Sequence, residues 1–299
     1  MRLHSLKLCF LLTTFFLTKS VLSIRHDFFQ QNNLSIKSEK FGGFVENLGQ
    51  MMDINGNPAQ DVLFASYSAN MNLWITKSGI VFEVVKIEEE ASENISQENI
   101  FNRHEEEEFK INSEIIELIL NNGEIKSENI EKLNPFEGSK NFFYPHCRDG
   151  IYGVKEYGAL VIKNVYEKID WVLYFTKDRQ FKYDFVIHPG GDYKAIELLY
   201  RSKKPLKINK MGELEINTMM GLFKEASPVS FIGSSTIKTN FIIHRQHSRL
   251  FNNDKGFETF VKFEPEGLKK NPDKKLIIDP QIIWSTFFWR FSAGWSSMH

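Results

Sequence analysis

Cysteine is nearly absent: Cys9 and Cys147 are the only two in 299 residues. Cys9 lies in an apolar N-terminal stretch, so the rest of the chain has a single thiol and no internal disulfide framework. Its core must hold by burial alone. Charge of one sign is also lacking, with 37 basic against 38 acidic side chains. That balance, without a basic stripe, argues against a nucleic-acid partner. No apolar run reaches the roughly 20 residues needed to span a bilayer as a helix. The motifs of common chemistry are missing as well: GxSxG, HExxH, CxxC, a Walker loop and GxGxxG.

The chain opens on MRLHSLKLCFLLTTFFLTKSVLS. Arg2 and Lys7 precede an uncharged core from Leu8 to Leu17, and Val21-Leu22-Ser23 has the small-residue pattern of a cleavage site. This is the order of a signal peptide, so residues 1–23 are expected to be removed and the protein exported, secreted or held at the cell surface. Cys9 lies inside the core and not after it, which excludes a lipoprotein anchor. Removal takes three basic residues and no acid, which leaves a small net negative charge. No transmembrane segment is expected in what remains.

From Ser66 onward apolar residues alternate, and turn residues interrupt them every eight to twelve positions, as in antiparallel β-structure. "NLWITKSGIVFEVVKI" (72–87) and "LKINKMGELEINT" (206–218) predict hairpins, with Gly212 free to take positive φ. "TIKTNFIIHR", "FETFVKF" (257–263) and "KLIID" (275–279) continue the series. "IDWVLYFTKDRQFKYDFVIHPGGD" (169–192) predicts a strand, a five-residue connection and a return strand. In the return, Tyr183, Phe185 and Ile187 share one face, and Pro189-Gly190-Gly191 ends it. The fold class expected is mainly β: an antiparallel sandwich type in two packed lobes, with one short helix in an acidic insertion.

That insertion is placed at residues 88–132. Glu88 to Glu108 carries nine glutamates against one arginine, a solvated, self-repelling run. "FKINSEIIELILNN" after it predicts the short amphipathic helix, with Phe109, Ile115, Ile116 and Ile119 on its apolar face. The run lacks the Asp/Asn/Gly positions of a calcium loop. The expected organisation is a signal peptide (1–23), a linker (24–40), a first β-rich lobe (41–192) holding the insertion, a second lobe (193–288) and an atypical tail (289–299).

Candidate chemistry is sparse. Asp170, Asp184 and His188 are the polar groups of the 169–192 hairpin, and no spacing links them, so strand-end or solvated-face roles are expected. His146 beside Cys147 suggests a nucleophile only on paper, and burial of the thiol is the plainer reading. His244 and His247 of "HRQH" are three apart, and an extended strand sends such positions to opposite faces, which disfavours a two-histidine metal site. "NLS" (33–35) and "NIS" (94–96) match the glycosylation pattern. No catalytic, cofactor or metal residue is assigned, and no cofactor is expected.

The ordered motifs "FGGFVENLGQ" (41–50), "DVLFASYSANMNLWITKSGIVFEV" (61–84), "NFFY" (141–144), "YGALVIKNVYEKIDWVLYF" (157–175), "KYDFVIHPGGD" (182–192), "LKINKMGELEINT" and "LIIDPQIIWSTFF" (276–288) resemble an uncharacterised N-terminal domain. That domain precedes SBBP (β-propeller-type) repeats in large secreted bacterial proteins. The resemblance implies a β-rich, non-catalytic module of structural or binding role, and it carries no active-site residues. In relatives "WSTFF" leads into a Tyr-Gly-Gly turn and the repeats. Here "WRFSAGWSSMH" follows, which suggests a copy truncated before the repeats. The partners expected are a cell-envelope protein or a glycan. The rival reading is an extracellular carbohydrate-active hydrolase with a carboxylate pair such as Asp170 and Asp184.

Overall fold

The computed structural model describes residues 42–285, except 54–56, 69–70, 90–108, 178, 252–253 and 269–272. The expected signal peptide, linker, tail, both glycosylation triplets and most of the acidic run lie outside the described residues.

Alternation produces strands throughout. The first group is β1 (Phe44–Glu46), β2 (Val62–Tyr67), β3 (Met71–Thr76), β4 (Gly79–Glu89) and β5 (Phe109–Leu120). After one turn of 3-10 helix (Ser127–Asn129) come β6 (Ile130–Pro135), β7 (Lys140–Tyr144), β8 (Cys147–Val154), β9 (Glu156–Tyr166), β10 (Ile169–Phe175) and β11 (Phe181–Ile187). A second 3-10 turn (Tyr193–Ala195) precedes β12 (Leu198–Ser202), β13 (Lys207–Ile208), β14 (Leu214–Thr218), β15 (Gly221–Ile232), β16 (Ser235–Phe251), β17 (Asp254–Pro265) and β18 (Leu276–Ser285).

Sixteen of these strands form one antiparallel sheet, and β7 and β8 form a separate hairpin. The large sheet's pairing closes on itself in the order β15-β16-β17-β12-β5-β4-β3-β2-β1-β9-β10-β11-β18, because β18 also pairs along β15. A strand has two edges, and Tyr157 of β9 pairs with both Pro135 and Phe44, while residues 159–162 pair with both β6 and β10. β1 and β10 therefore share one edge of β9 end to end, with β6 on the other.

Every strand of the circuit turns one face inward to a single hydrophobic cluster. Leu73 and Ile75, Ile80 and Phe82, Ile116 and Leu118, Leu198 and Tyr200, Trp171 and Leu173, and Leu276 and Ile278 are among its members. Rings bridge the interior between strands that are not neighbours. Phe82 on β4 meets Phe223 on β15 at 5.0 Å, and Phe185 on β11 meets Phe263 on β17 at 5.8 Å. Strands on either side of Asp192 contribute to this cluster and pair directly, β12 with β5 and β18 with β11.

The mainly β, antiparallel expectation holds, but the short helix does not: no α-helix occurs among the described residues. "FKINSEIIELIL" is β5, in unbroken register with β4 from Gly79↔Ile119 to Glu89↔Phe109. Its β-branched isoleucines suit a pleated strand, and Ile116, Leu118 and Leu120 alternate into the core. Pairing with β4 on one side and β12 on the other overrides a three-and-four spacing that also fits a helix.

The hairpins predicted at 72–87, 206–218 and 169–192 form. Gly212 takes φ +81 as its turn requires, and β10 and β11 pair in register from Ile169↔Ile187 to Phe175↔Phe181. A smaller cluster lies on the opposite face of β2–β4, where Met51 and Ala59 cover Val62, Ala65, Trp74 and Val81.

"FGGFVENLGQ" acquires a structural role at this cover. Asn47 donates from Nδ2 to the carbonyls of Ala59 (3.0 Å) and Val62 (2.8 Å). Its Oδ1 accepts from the N–H groups of Gly49 (3.0 Å) and Met51 (3.3 Å). One amide thus bonds four backbone groups where the irregular segment before β2 joins the sheet.

Candidate polar sites of the sheet

Asp170 is buried on the outer face of β10, where a register shift between Ile169 and Trp171 marks the pairing with β9. It accepts from the Asn164 N–H (3.0 Å), from Lys163 Nζ (3.2 Å) and lies 2.9 Å from His188 Nε2. The β10–β11 register brings His188 to this carboxylate: Asp170 pairs with Val186, and His188, whose N–H donates to the Lys168 carbonyl (2.9 Å), is the next outer-facing position. Burial pushes the carboxyl's pKa up, but these three partners outweigh burial and hold it below the ordinary range. The structure therefore joins Asp170 to His188, a link that sequence spacing did not show.

Asp184 lies on the same outer face. Asp170 pairs with Val186 and Val172 with Asp184, so the two carboxylates are diagonal neighbours, about 7–8 Å apart between backbones. Asp184 sits opposite Asp279 when the β11–β18 register (Phe185↔Ile278) is continued by one pair. Tyr174 donates to Asp184 at 3.5 Å, and Lys182 Nζ lies 2.8 Å from Asp279. Burial first, and then the Asp279 charge, raise Asp184 to about 7. Asp184 therefore keeps its proton up to about neutral pH.

A third acid lies inside the circuit. Glu225 on β15 is fully buried and accepts from Tyr183 Oη (2.9 Å) and Tyr200 Oη (2.6 Å). Burial raises it to about 7, against the pull of the two phenols. Sequence reading passed over it, although the alternation Phe223, Glu225 places it on the apolar face.

The outer face of β5, β12, β17 and β16 carries a charged network that sequence reading also missed. Glu258 accepts from Arg201 Nε (2.8 Å) and Arg249 Nη1 (3.1 Å) and lies 3.0 Å from His247 Nε2. Buried Glu117 lies 3.6 Å from Arg201. Glu197 meets His244 (3.0 Å) and Lys262 (3.4 Å) and accepts from Asn121. The Arg245 guanidinium lies 3.5 Å from the Phe260 ring centre. Both histidines also touch Phe260.

The expectation that His244 and His247 face opposite ways is thus overturned. Ile243 pairs with Val261 and Arg245 with Phe260, so His244 is an extra residue that shifts the parity. The histidines nonetheless bind different carboxylates. Among the described residues no group of three or more His, Cys, Asp or Glu is arranged to hold a metal ion.

His146 and Cys147 do not assemble a nucleophile. His146 stacks on Tyr144 (5.4 Å), its ring nitrogens have no hydrogen-bond partner, and Cys147 is half-buried at the start of β8. The outward side of the same hairpin presents Phe143 and Tyr152, 62% and 60% exposed, with ring centres 5.4 Å apart.

Residues 44–281 match the model of a protein family described as a domain of unknown function, DUF7948. No curated protein and no solved structure matches the chain.

Proposed function

This chain belongs to the DUF7948 family of domains of unknown function, and we propose that it is a non-catalytic binding or scaffolding module of an exported protein. The observation that carries this reading is the state of Asp170. Both of its oxygens are engaged, by the Asn164 N–H on one side and by Lys163 and His188 on the other. A group so engaged pins the β9–β10 turn to the end of β11 and has little freedom to take a proton from a substrate. The Phe143–Tyr152 pair supplies the kind of exposed aromatic surface that contacts sugars or protein. Export follows the signal-peptide pattern, and association with SBBP repeats follows the motif resemblance.

A second reading has its own observation. Asp170 is held low and Asp184 high, on diagonal positions of one face. One carboxyl held ionised and one held protonated on the same face is the division of roles a glycoside hydrolase uses. Glycan-array binding and cell-envelope capture, beside a thermal melt and a reducing-sugar assay on polysaccharides, separate the two. Saturable binding with a cooperative melt and no sugar release supports the module. Sugar release that Asp170→Asn and Asp184→Asn each abolish replaces it with the hydrolase.

A further inference from the structure

We infer that β16, beyond Lys238, is a docking edge for an extended acidic segment of a partner protein, added to the sheet as a further strand. The edge is defined by its neighbours. Lys238 pairs with Val229 on β15, and its carbonyl accepts from the Glu266 N–H (2.8 Å) on the β17 side. β15 and β17 therefore occupy opposite edges of β16. β15 is paired only through Ser235–Lys238, whereas β17 continues from Thr239 to Phe251. Past Lys238, no strand among the described residues pairs with the β15-side edge. Among the described residues, Ser227 Oγ reaches this edge at the Thr239 carbonyl (3.3 Å). The Gln246 side chain reaches across to the Leu206 carbonyl (2.8 Å), and every residue from His244 to Leu250 is exposed.

Charge complementarity sets the partner's chemistry. Arg245, His247 and Arg249 stand opposite Phe260, Glu258 and Gly256, all on the outer face. Alternate positions on a strand are about 7 Å apart. Exposed Lys203, Lys204, Lys207 and Lys210 lie in an acid-free run that meets β16 through the Gln246–Leu206 contact. A strand laid on the open edge projects every second side chain to the same outer face, within cross-strand reach of these cations. Acidic residues at alternate positions complete the set. A second copy of β16 would bring cations against cations. Charges on sheet edges also deter aggregation, but they do so while hydrated and mobile. Here Arg249 and His247 are tied to Glu258, and Arg245 is laid on Phe260. On the other face Leu250, 70% exposed, offers an apolar contact. Backbone pairing supplies affinity and the alternate cations supply selectivity, as in strand addition generally.

The inference rests on the reading of the chain as a binding module and names one class of partner for it. The test uses the full chain and a labelled acetyl-(Glu-Thr)5 peptide, read by fluorescence anisotropy and by amide hydrogen exchange over residues 239–251. Saturable binding with slowed exchange in β16 is expected. Arg245→Glu with Arg249→Glu should weaken it at least tenfold and transfer preference to a (Lys-Thr)5 peptide. Arg245→Gln alone should weaken it less, and serves if the double variant does not melt cooperatively.

Binding that leaves β16 exchange unchanged, or that heparin fully replaces, overturns strand addition in favour of a plain polyanion surface. Peptide binding that appears only after Glu105, Glu106, Glu107 and Glu108 are changed to Gln assigns the edge to the chain's own acidic run. A dimer that buries the edge assigns it to a second copy. No peptide binding in either background ends the proposal, and leaves glycan or envelope capture as a separate question.

Discussion

Tyr200 donates a 2.6 Å hydrogen bond to Glu225 in the middle of the core, with neither side chain reaching solvent. Tyr183 donates to the other carboxyl oxygen, and no cation is paired with it among the described residues. The site therefore favours a protonated Glu225, whose pKa is about 7 in the fold against an unfolded value near 4.5. The folded protein keeps a proton that the unfolded chain releases, so stability falls as pH rises from about 4.5 to about 7. A shift of this size corresponds to about 3 kcal/mol as an upper figure. Asp184 and Glu117 are also raised and contribute with the same sign. Glu225→Gln should flatten, without abolishing, the decline in urea-derived stability between pH 4.5 and 8. An unchanged slope would show that Glu225 ionises freely in the fold.

Asn47 should be the most costly polar residue of the 47–60 segment. Asn47→Ala leaves the Gly49 and Met51 N–H groups without their acceptor and takes a donor from the Val62 carbonyl, while the Ala59 carbonyl keeps the Val62 N–H (3.1 Å). A loss of about 2–4 kcal/mol is expected, with faster amide exchange at Gly49 and Met51. Asn47→Asp should cost less than alanine, because its oxygens still accept from both N–H groups. Equal losses would mean that the donated bonds to Ala59 and Val62 are the ones that matter.

The parts of this fold legible in sequence are those where alternation and turn chemistry agree. Tyr183, Phe185 and Ile187 could be assigned to one face because a period of two is the only local rule acting on them. β5 was misread because Ile115, Ile116 and Ile119 fit both a helix and a strand, and its two strand neighbours are distant in sequence. The His244 bulge leaves no local signature, since it is set by the register against Val261 and Phe260. Asp170 and His188 were both noticed but not joined. Their contact depends on the register in which β10 and β11 pair, which residue spacing alone does not fix.

Gly79 offers a test of backbone approach, separate from any turn preference. An added Cβ there would lie 2.0 Å from the Leu118 carbonyl oxygen, where β4 starts against β5. Thr76 Oγ1 already accepts from the N–H groups of Ser78 and Gly79, so the turn cannot shift without losing them. Gly79→Ala should cost more than about 2 kcal/mol or prevent folding. Gly138 has φ +83 with nothing within 4 Å of its would-be Cβ, and Gly138→Ala should cost only about 1 kcal/mol. Chemical denaturation of the two variants side by side checks the order.

The closing strand gives the last prediction. β18 joins β11 to β15, and at the β11 seam Asp184 faces Asp279 beside Lys182 and Tyr174. Asp184 is raised to about 7 by burial and by Asp279, so ionising it above that pH sets two charges against each other with one lysine between them. The proton held in the fold and released on unfolding makes this contribution decline from about pH 4 to about 7. Asp184→Asn removes the second charge and keeps an acceptor for Tyr174, so it should raise the melting temperature at pH 8 and change little at pH 4.5. Asp279→Asn removes the direct partner of Lys182 as well, so its gain at pH 8 should be smaller. Amide exchange at Ile277 and Ile278 should slow in Asp184→Asn at pH 8, because the repulsion acts on the pairing of β18 itself. A gain in melting temperature without that slowing would place the effect in the unfolded chain.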